Sequence, residues 1–532
     1  MEKLLLLGDE AFAQGAIDAG MSGCYAYPGT PSTEIMEYVQ RSKEAKEKNI
    51  HRMWSANEKT AAESALGMSY AGKRSIACMK HVGLNVAADA FVNSGVTGAN
   101  GGNIVVSADD PSMHSSQNEQ DSRYYGKFSL IPVLEPSNQQ ECYDMAHYGF
   151  DFSEKYLTPV LLRLTTRIAH SRAGVVRKEV KPQNKLKLPE DKRQFVLLPS
   201  IARKRYKLLV ENQTKFEMES ENSPFNRYFD GKDKSMGIIA CGIAYNYLME
   251  NYQDTECPFP VLKISQYPLP RKMVEKLTSE CKSIMIMEEG QPMVEEMLRG
   301  YLDNGIKIYG RLDGTLPRDG ELNPNLVGKA LKMEQAELMT IPSNVVGRPP
   351  KFCNGCGHID AYNALIASVK DVYGDGHVFS DIGCYTLAAL PPFECINTTV
   401  DMGASITMAK GAADAGLFPA IAVIGDSTFT HSGMTGLLDA VIENTNMIVM
   451  ILDNSTTGMT GGQASHALNR LSEICKGLGV AEDHIRIVNP IKKNHQLMVD
   501  IINEELKYEG VSVIIPTREC MQTLKASTKK SK

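Results

Sequence analysis

Ala420-Ile421-Ala422-Val423-Ile424-Gly425-Asp426-Ser427 and, after twenty-five intervening residues, Asp453-Asn454 at the end of Met447-Ile448-Val449-Met450-Ile451-Leu452 decide how this chain is read. Both apolar runs have the near-continuous hydrophobicity of strands buried on two faces. Each ends in a polar cluster, and in open α/β sheets ligands sit beyond the C-terminal strand ends. A diphosphate needs a glycine-bearing turn where backbone N–H groups can reach its oxygens. It also needs a divalent cation, and Mg²⁺ takes oxygen ligands in octahedral geometry, usually one or two protein carboxylates beside phosphate oxygens. Asp426 can supply the carboxylate, Asn454 an amide oxygen, and Thr456 a backbone carbonyl. Gly425 and Ser427 flank the acid. Taken alone, Gly-Asp-Ser is an ordinary turn; with Asp-Asn at the tip of a second strand, a metal and diphosphate site is the sharper reading.

The same rhythm runs outward from there. Gly23–Tyr27, Ile50–Trp54, Ser75–Met79 and Asn103–Ser107 read as strands, with a helix from about Asn57 to Ala71. Strands alternating with helical segments argue for a parallel sheet covered by helices. Polar clusters again close the strands: Tyr27–Thr30, Glu58, Lys80-His81 and Asp109-Asp110. Residues 191–235 lose the pattern and read as a connecting segment. Met236–Cys241, Val261–Ile264 and Ser283–Met287 then define a smaller α/β domain over 236–345. Val346-Gly347-Arg348-Pro349-Pro350 reads as a linker into a last α/β domain, 346–532, with Val378–Asp381 as a further strand. The first domain spans 1–190. The fold class is α/β, multi-domain, with doubly wound parallel sheets.

Composition bounds the partners. The 532 residues carry a net charge of −6, which gives no electrostatic case for nucleic acid. No stretch approaches the roughly 20 apolar residues of a membrane helix. Leu4–Leu7 is too short for a signal peptide, so the expected compartment is the cytoplasm. Twelve cysteines in such a chain point to thiols or metal ligation rather than disulfides.

Several ordered motifs carry a family resemblance. Gly425-Asp426-Ser427 with Asn454 resembles the thiamine-diphosphate motif. Tyr27-Pro28-Gly29-Thr30-Pro31-Ser32 resembles the substrate-side loop of 2-oxoacid:ferredoxin oxidoreductases. Met79-Lys80-His81-Val82-Gly83-Leu84-Asn85, Asp109-Asp110-Pro111-Ser112-Met113-His114-Ser115-Ser116-Gln117, Asp381-Ile382-Gly383-Cys384-Tyr385-Thr386 and Met459-Thr460-Gly461-Gly462 resemble the indolepyruvate branch of that family. The similarity runs to about residue 520.

The resemblance implies roles. The first domain becomes the pyrimidine-type thiamine domain, the last the diphosphate-type, and the middle one transketolase C-terminal-like. Glu58, in the first turn of its helix, is the carboxylate that hydrogen-bonds the aminopyrimidine; a carboxylate there is also ordinary dipole complementation. Gly383, Cys384 and Gly403 fall on the cofactor side. Thr30 and Arg123 match positions that hold the substrate carboxylate, and arginine suits a bidentate grip; an interdomain ion pair is the other reading of Arg123. Lys80 and His81 face the same crevice, His81 either moving a proton or serving as a structural histidine. Met459 either meets an aromatic substrate or packs a core. Cys353, Cys356, Cys384 and Cys520 resemble the ligands of a proximal [4Fe–4S] cluster, the alternative being buried thiols near the cofactor.

The implied activity is oxidation of arylpyruvates, such as indolepyruvate and phenylpyruvate, with coenzyme A and ferredoxin, to arylacetyl-coenzyme A. The chain holds no Cys-x-x-Cys-x-x-Cys-x-x-x-Cys run of the ferredoxin-like domain that most such subunits carry, so further clusters are expected from a partner. The expected assembly is a dimer of heterodimers with a smaller β subunit. The rival readings are a non-oxidative thiamine decarboxylase and a non-catalytic binding subunit.

Overall fold

Runs of valine, isoleucine and leucine build the sheets of this protein, seen here in a computed structural model that describes residues 3–191, 193–300, 305–317, 320–334, 340–346, 351–399, 402–414 and 416–530, with the backbone alone at 414 and 526–530. The chain packs as two units, Met1–Met339 and Thr340–Lys532.

The first unit holds a seven-stranded sheet. Its order is Gln266–Tyr267, Val133–Leu134, Val160–Thr165, Asn103–Asp109, Ser75–Lys80, Gly23–Ala26, His51–Trp54. Every pairing is parallel except that of Gln266–Tyr267 with Val133–Leu134. The central strands Asn103–Asp109 and Val160–Thr165 are buried along their whole length, as a sheet covered on both faces requires. The register sets Lys80 opposite Ala108, so the polar residues that follow each strand emerge along one edge.

A second, five-stranded sheet in the same unit runs Lys307–Tyr309, Ser283–Met287, Gly237–Cys241, Val261–Ile264, Arg227–Phe229. It is parallel but for the last strand. Four of its strands come from the residues read in the sequence as a middle α/β domain. The stretch read as a connecting segment is more structured than that reading: it folds into the helix Pro199–Glu221 and then supplies Arg227–Phe229 to the second sheet. Its hydrophobic signal is thin because only Leu209, Phe216 and Ser220 of the helix are buried. Lys3–Leu7, an apolar run of no assigned role in the sequence, pairs antiparallel with Arg172–Val176.

The second unit is built on a six-stranded parallel sheet ordered Thr398–Thr399, Val378–Ser380, Ile421–Gly425, Met447–Leu452, Val511–Pro516, Ile485–Val488. Ile421–Gly425 and Met447–Leu452 are adjacent, with Gly425 opposite Leu452, so Asp426 and Asp453-Asn454 leave neighbouring strand tips. The expected linker residues 347–350 lie outside the described ones. No helix among the described residues is long and apolar enough to cross a membrane.

Candidate active site

Each unit carries its own cluster of polar groups at a C-terminal strand edge.

In the first unit the turn Pro28–Ser32 is held by its own side chains. Ser32 Oγ donates to the Gly29 carbonyl at 2.8 Å, and Gly29 N–H donates to Thr33 Oγ1 at 3.0 Å. Thr30 is half-buried beside this turn. A Cβ on Gly29 would lie 3.4 Å from Lys80 Cβ, so the turn rests against the lysine stem. Asn57 caps the next helix, its Oδ1 accepting from Thr60 N–H at 2.9 Å, which fixes Glu58 as the first helical residue. Glu58 is buried, at 5% exposure. A Cβ on Gly83 would come within 2.5 Å of Glu58 Oε1, so only glycine lets that carboxylate lie over the turn after Ser75–Lys80. Glu63, five residues further along the same helix, is exposed and paired with Lys59.

Lys80 Nζ donates to the Ser115 carbonyl at 2.7 Å. Burial lowers its pKa to about 8, against the pull of Asp110 and Glu58, which raise it. His81 is buried, and its Nε2 lies 3.2 Å from the Asn118 carbonyl. A carbonyl only accepts, so Nε2 carries the proton there. Nδ1 has no hydrogen-bond partner among the described residues. Thus Glu58, Lys80, His81 and the Gly29 turn do converge.

Arg123 does not join them, which corrects its expected grip on a substrate carboxylate. Its side chain has no exposure. Nε donates to Asp121 Oδ1 at 2.9 Å, and Nη1 to Glu288 Oε2 at 2.8 Å and Tyr267 Oη at 3.3 Å. Nη2 donates to Asp121 Oδ2 at 2.5 Å and to the carbonyls of Glu289 and Gln291. All five guanidinium N–H groups are thereby spent inside the protein, between the two sheets of this unit. Arg163, Asp109, Glu135, Glu289 and Arg311 extend the same interior network. Burial pushes the Glu289 carboxyl up to about 8, with Arg311 opposing.

In the second unit, Asp426 is 2% exposed, and its Oδ2 has no hydrogen-bond partner among the described residues. Burial raises its pKa to about 7. A desolvated carboxylate with one free oxygen is what a divalent cation relieves, so this residue fits the implied Mg²⁺. Asn454 Oδ1 accepts from Thr456 N–H at 3.0 Å, presenting the amide at the next strand tip. Ser427 Oγ meets Thr457 Oγ1 at 2.9 Å. Thr456 is buried, its hydroxyl donating to the Gln463 carbonyl at 2.9 Å. A Cβ on Gly425 or Gly383 would strike the Tyr385 ring at 2.6 and 2.2 Å, so that ring lies between the two glycine turns. Gly403 has φ 101°, a conformation that favours glycine.

Asp381 opens the Asp381–Thr386 motif, and nothing in the sequence marks its role. It is buried and accepts from Ser405 Oγ at 2.6 Å, from Gly403 N–H at 3.1 Å and from the Tyr385 hydroxyl. One carboxylate therefore fastens the Gly383 and Gly403 turns together. Ser405 and Tyr385 were equally silent, and the signal available was their place in the Asp381–Thr386 run and after Gly403.

The four cysteines singled out also gather. Cys520 N–H donates to the Asn454 carbonyl at 3.2 Å, and Gln522 Nε2 donates to Cys353 Sγ at 3.2 Å. A Cβ on Gly458 would lie 3.2 Å from Cys384 Sγ and 4.0 Å from Cys520 Sγ. Burial pushes the Cys384 thiol up to about 12, and Cys520, Cys356 and Cys353 add to it. Among the described residues no three His, Cys, Asp or Glu side chains close tightly enough to hold a single metal ion. Met459 is 61% exposed in this unit, so it packs no core here.

Comparison with known proteins bears on both clusters. Residues 14–228 match the family described as pyruvate flavodoxin/ferredoxin oxidoreductase, thiamine diP-bdg. Residues 381–514 match the thiamine pyrophosphate enzyme, C-terminal TPP binding domain. An indolepyruvate oxidoreductase subunit IorA of Archaeoglobus fulgidus is 41% identical, over 98% of this chain and 86% of its own. Those of Methanothermobacter thermautotrophicus and Pyrococcus abyssi are 36% and 37% identical, over 98% of this chain and 87% and 86% of theirs. With thiamine-binding domains matched at both ends, this chain belongs to the indolepyruvate oxidoreductase IorA-subunit family, among the thiamine-diphosphate-dependent 2-oxoacid oxidoreductases.

Proposed function

We propose that the chain oxidatively decarboxylates arylpyruvates, indolepyruvate and phenylpyruvate among them, to arylacetyl-coenzyme A, with ferredoxin as electron acceptor and a smaller β subunit as partner. The observation that carries this reading is the buried, half-unpartnered carboxylate of Asp426 beside Asn454 at adjoining strand tips, in a chain whose relatives are named for indolepyruvate. When bound, thiamine diphosphate supplies a carbon nucleophile and an electron sink for the 2-oxoacid.

Each residue has a task in that scheme. Asp426, Asn454 and the Thr456 carbonyl hold Mg²⁺, and the Gly425-Asp426-Ser427 turn with Gly383 and Gly403 leaves backbone room for the diphosphate. Glu58 holds a proton at the aminopyrimidine ring, its burial keeping water from competing for that bond. Lys80 and Thr30 orient the substrate carboxylate. His81, with its proton fixed on Nε2, offers the bare Nδ1 to a proton at the substrate oxygen. Met459 gives an aromatic side chain an adaptable apolar face. Cys353, Cys356, Cys384 and Cys520 hold one [4Fe–4S] cluster as the first electron acceptor. The working assembly is a cytoplasmic dimer of heterodimers.

The deciding experiment is a turnover screen of pyruvate, phenylpyruvate and indolepyruvate with the partner subunit, coenzyme A and oxidised ferredoxin. Acyl-coenzyme A formed only with the acceptor, preferentially from the aryl substrates, and lost in Glu58→Gln, is the expected result. Aldehyde released without an acceptor overturns it in favour of a non-oxidative decarboxylase.

A further inference from the structure

We infer that Asp110 is a positioning residue: by shaping the loop Pro111–Asn118 it sets the ammonium of Lys80 toward the substrate carboxylate. This deepens the reading of Lys80 given above and rests on it.

Asp110 is 1% exposed at the end of the strand Asn103–Asp109. Its Oδ2 accepts from Ser115 N–H and from Ser116 Oγ, each at 2.7 Å. Its Oδ1 accepts from Thr166 Oγ1 at 2.7 Å, which ties it to the start of the helix Thr166–His170. The acid therefore spends both oxygens on folding the loop back. Ser115 N–H faces Asp110 while Ser115 C=O takes the Lys80 ammonium, so the backbone of a single residue links the two charges.

The loop does not hold this shape by local preference. Ser112 and Met113 have φ of 68° and 54°, in the left-handed region that residues with a Cβ seldom occupy unless outside bonds impose it. Those bonds are Asp110 to Ser115 and Ser116, and Glu119 Oε2 to Ser112 N–H at 2.8 Å. His114 Nε2 adds a longer contact, 3.6 Å from Glu321 Oε2. Farther along, the Asn118 carbonyl receives His81 Nε2–H, so the same loop fixes both candidate substrate residues.

A carbonyl orients an ammonium without neutralising it. Of the three N–H groups of Lys80, the described residues engage one, and two stay available to a substrate carboxylate. The carboxylates that act on this ammonium are Asp110 and Glu58. Asp110 also faces His170, which pairs with Glu34 at 3.5 Å. Without the negative charge of Asp110, the half-buried lysine gives up its proton more readily.

The test uses the full chain with its partner subunit and indolepyruvate as substrate. Competitive acetylation of Lys80, read by mass spectrometry across pH, gives the midpoint of its protonation. In Asp110→Asn that midpoint falls below the wild-type value, and KM for indolepyruvate rises about tenfold with kcat little changed. Asp110→Glu, which keeps the charge, restores the midpoint. Thr166→Val withdraws one hydrogen bond but no charge, and shifts KM the same way by a smaller factor; it serves as the second variant should Asp110→Asn fold poorly. An unmoved midpoint with unchanged KM in Asp110→Asn overturns the role of Asp110. An unchanged KM in Lys80→Met overturns the substrate role of Lys80, and the two failures are thereby told apart.

Discussion

Replacing Arg123 with methionine separates a structural arginine from a substrate-binding one. The side chain is wholly buried and bonded to Asp121, Glu288 and Tyr267. Methionine fills much of the volume and restores no charge. Asp121 keeps Arg163 at 3.5 Å, the Gln291 N–H at 3.1 Å and the backbone N–H of residue 123 at 3.0 Å, while Glu288 keeps the N–H groups of Val294 and Glu295, each at 3.0 Å. Burial already pushes Glu288 above its ordinary range, and Arg123 is the largest influence opposing that, ahead of the Val294 and Glu295 N–H groups. Asp121 is also pressed upward by burial, but Arg123 and Arg163 outweigh it and hold it low. Removing one partner of a buried ion pair costs about 3–5 kcal/mol. At roughly 2–4 °C per kcal/mol for units of this size, the melting temperature falls by about 6–20 °C. The stranded acids can take up protons, so the loss is smaller at pH 5 than at pH 8. Scanning calorimetry of wild type and Arg123→Met at both pH values measures this. KM for the 2-oxoacid in the folded fraction stays near wild type. A variant that melts within a degree or two of wild type but loses substrate affinity would falsify the interior assignment and return Arg123 to the active site.

Three further outcomes are expected. Gly83→Ala places a methyl group where Glu58 Oε1 now lies, 2.5 Å from the new carbon; because a flexible side chain can yield, the fold survives by circular dichroism while turnover falls more than tenfold, and unchanged turnover detaches Glu58 from the chemistry. Glu289, raised to about 8 in the fold, favours its protonated form, so its contribution is complete below the ordinary glutamate range and fades as pH climbs to about 8; Glu289→Gln therefore flattens the melting temperature between pH 5 and 8, and an unaltered slope counts against it. Cys353→Ser lowers the iron and sulfide content of anaerobically purified protein, and an iron-free wild type that still reduces ferredoxin removes the cluster from the scheme.

What the sequence disclosed follows from how strongly each residue's setting is fixed by near neighbours. Val261–Ile264, Ser283–Met287 and Met447–Leu452 were readable to the residue because strands covered on both faces admit little but apolar side chains. Gly425-Asp426-Ser427 and Asn454 were readable because the parallel pairing of two adjacent strands brings a fixed spacing back to one edge. The helix Pro199–Glu221 was hidden, since it buries so little that its surface chemistry looks like a tether. Arg123 was misplaced for a different reason. Its partners Tyr267, Glu288 and Gln291 arrive from more than 140 residues away, and nothing local distinguishes an arginine aimed at a ligand from one aimed at another layer of the protein. Asp110 and Asp381 are invisible as organisers for the same cause: their work is to fix the shapes of nearby turns, and a one-dimensional string does not show shape.

The hydrogen bond from Cys520 to the Asn454 carbonyl makes two separate trades hang on one amide proton. In the proposed scheme Asn454 grips a cation and Cys520 helps to receive an electron. Neither can drift without dragging the other, because the tail of Val511–Pro516 and the tip of Met447–Leu452 advance as neighbouring rails in fixed register. If the proposed cluster sits there, the length of the electron's first hop is written into main-chain geometry, and exchange of surrounding side chains tunes its driving force far more readily than its span.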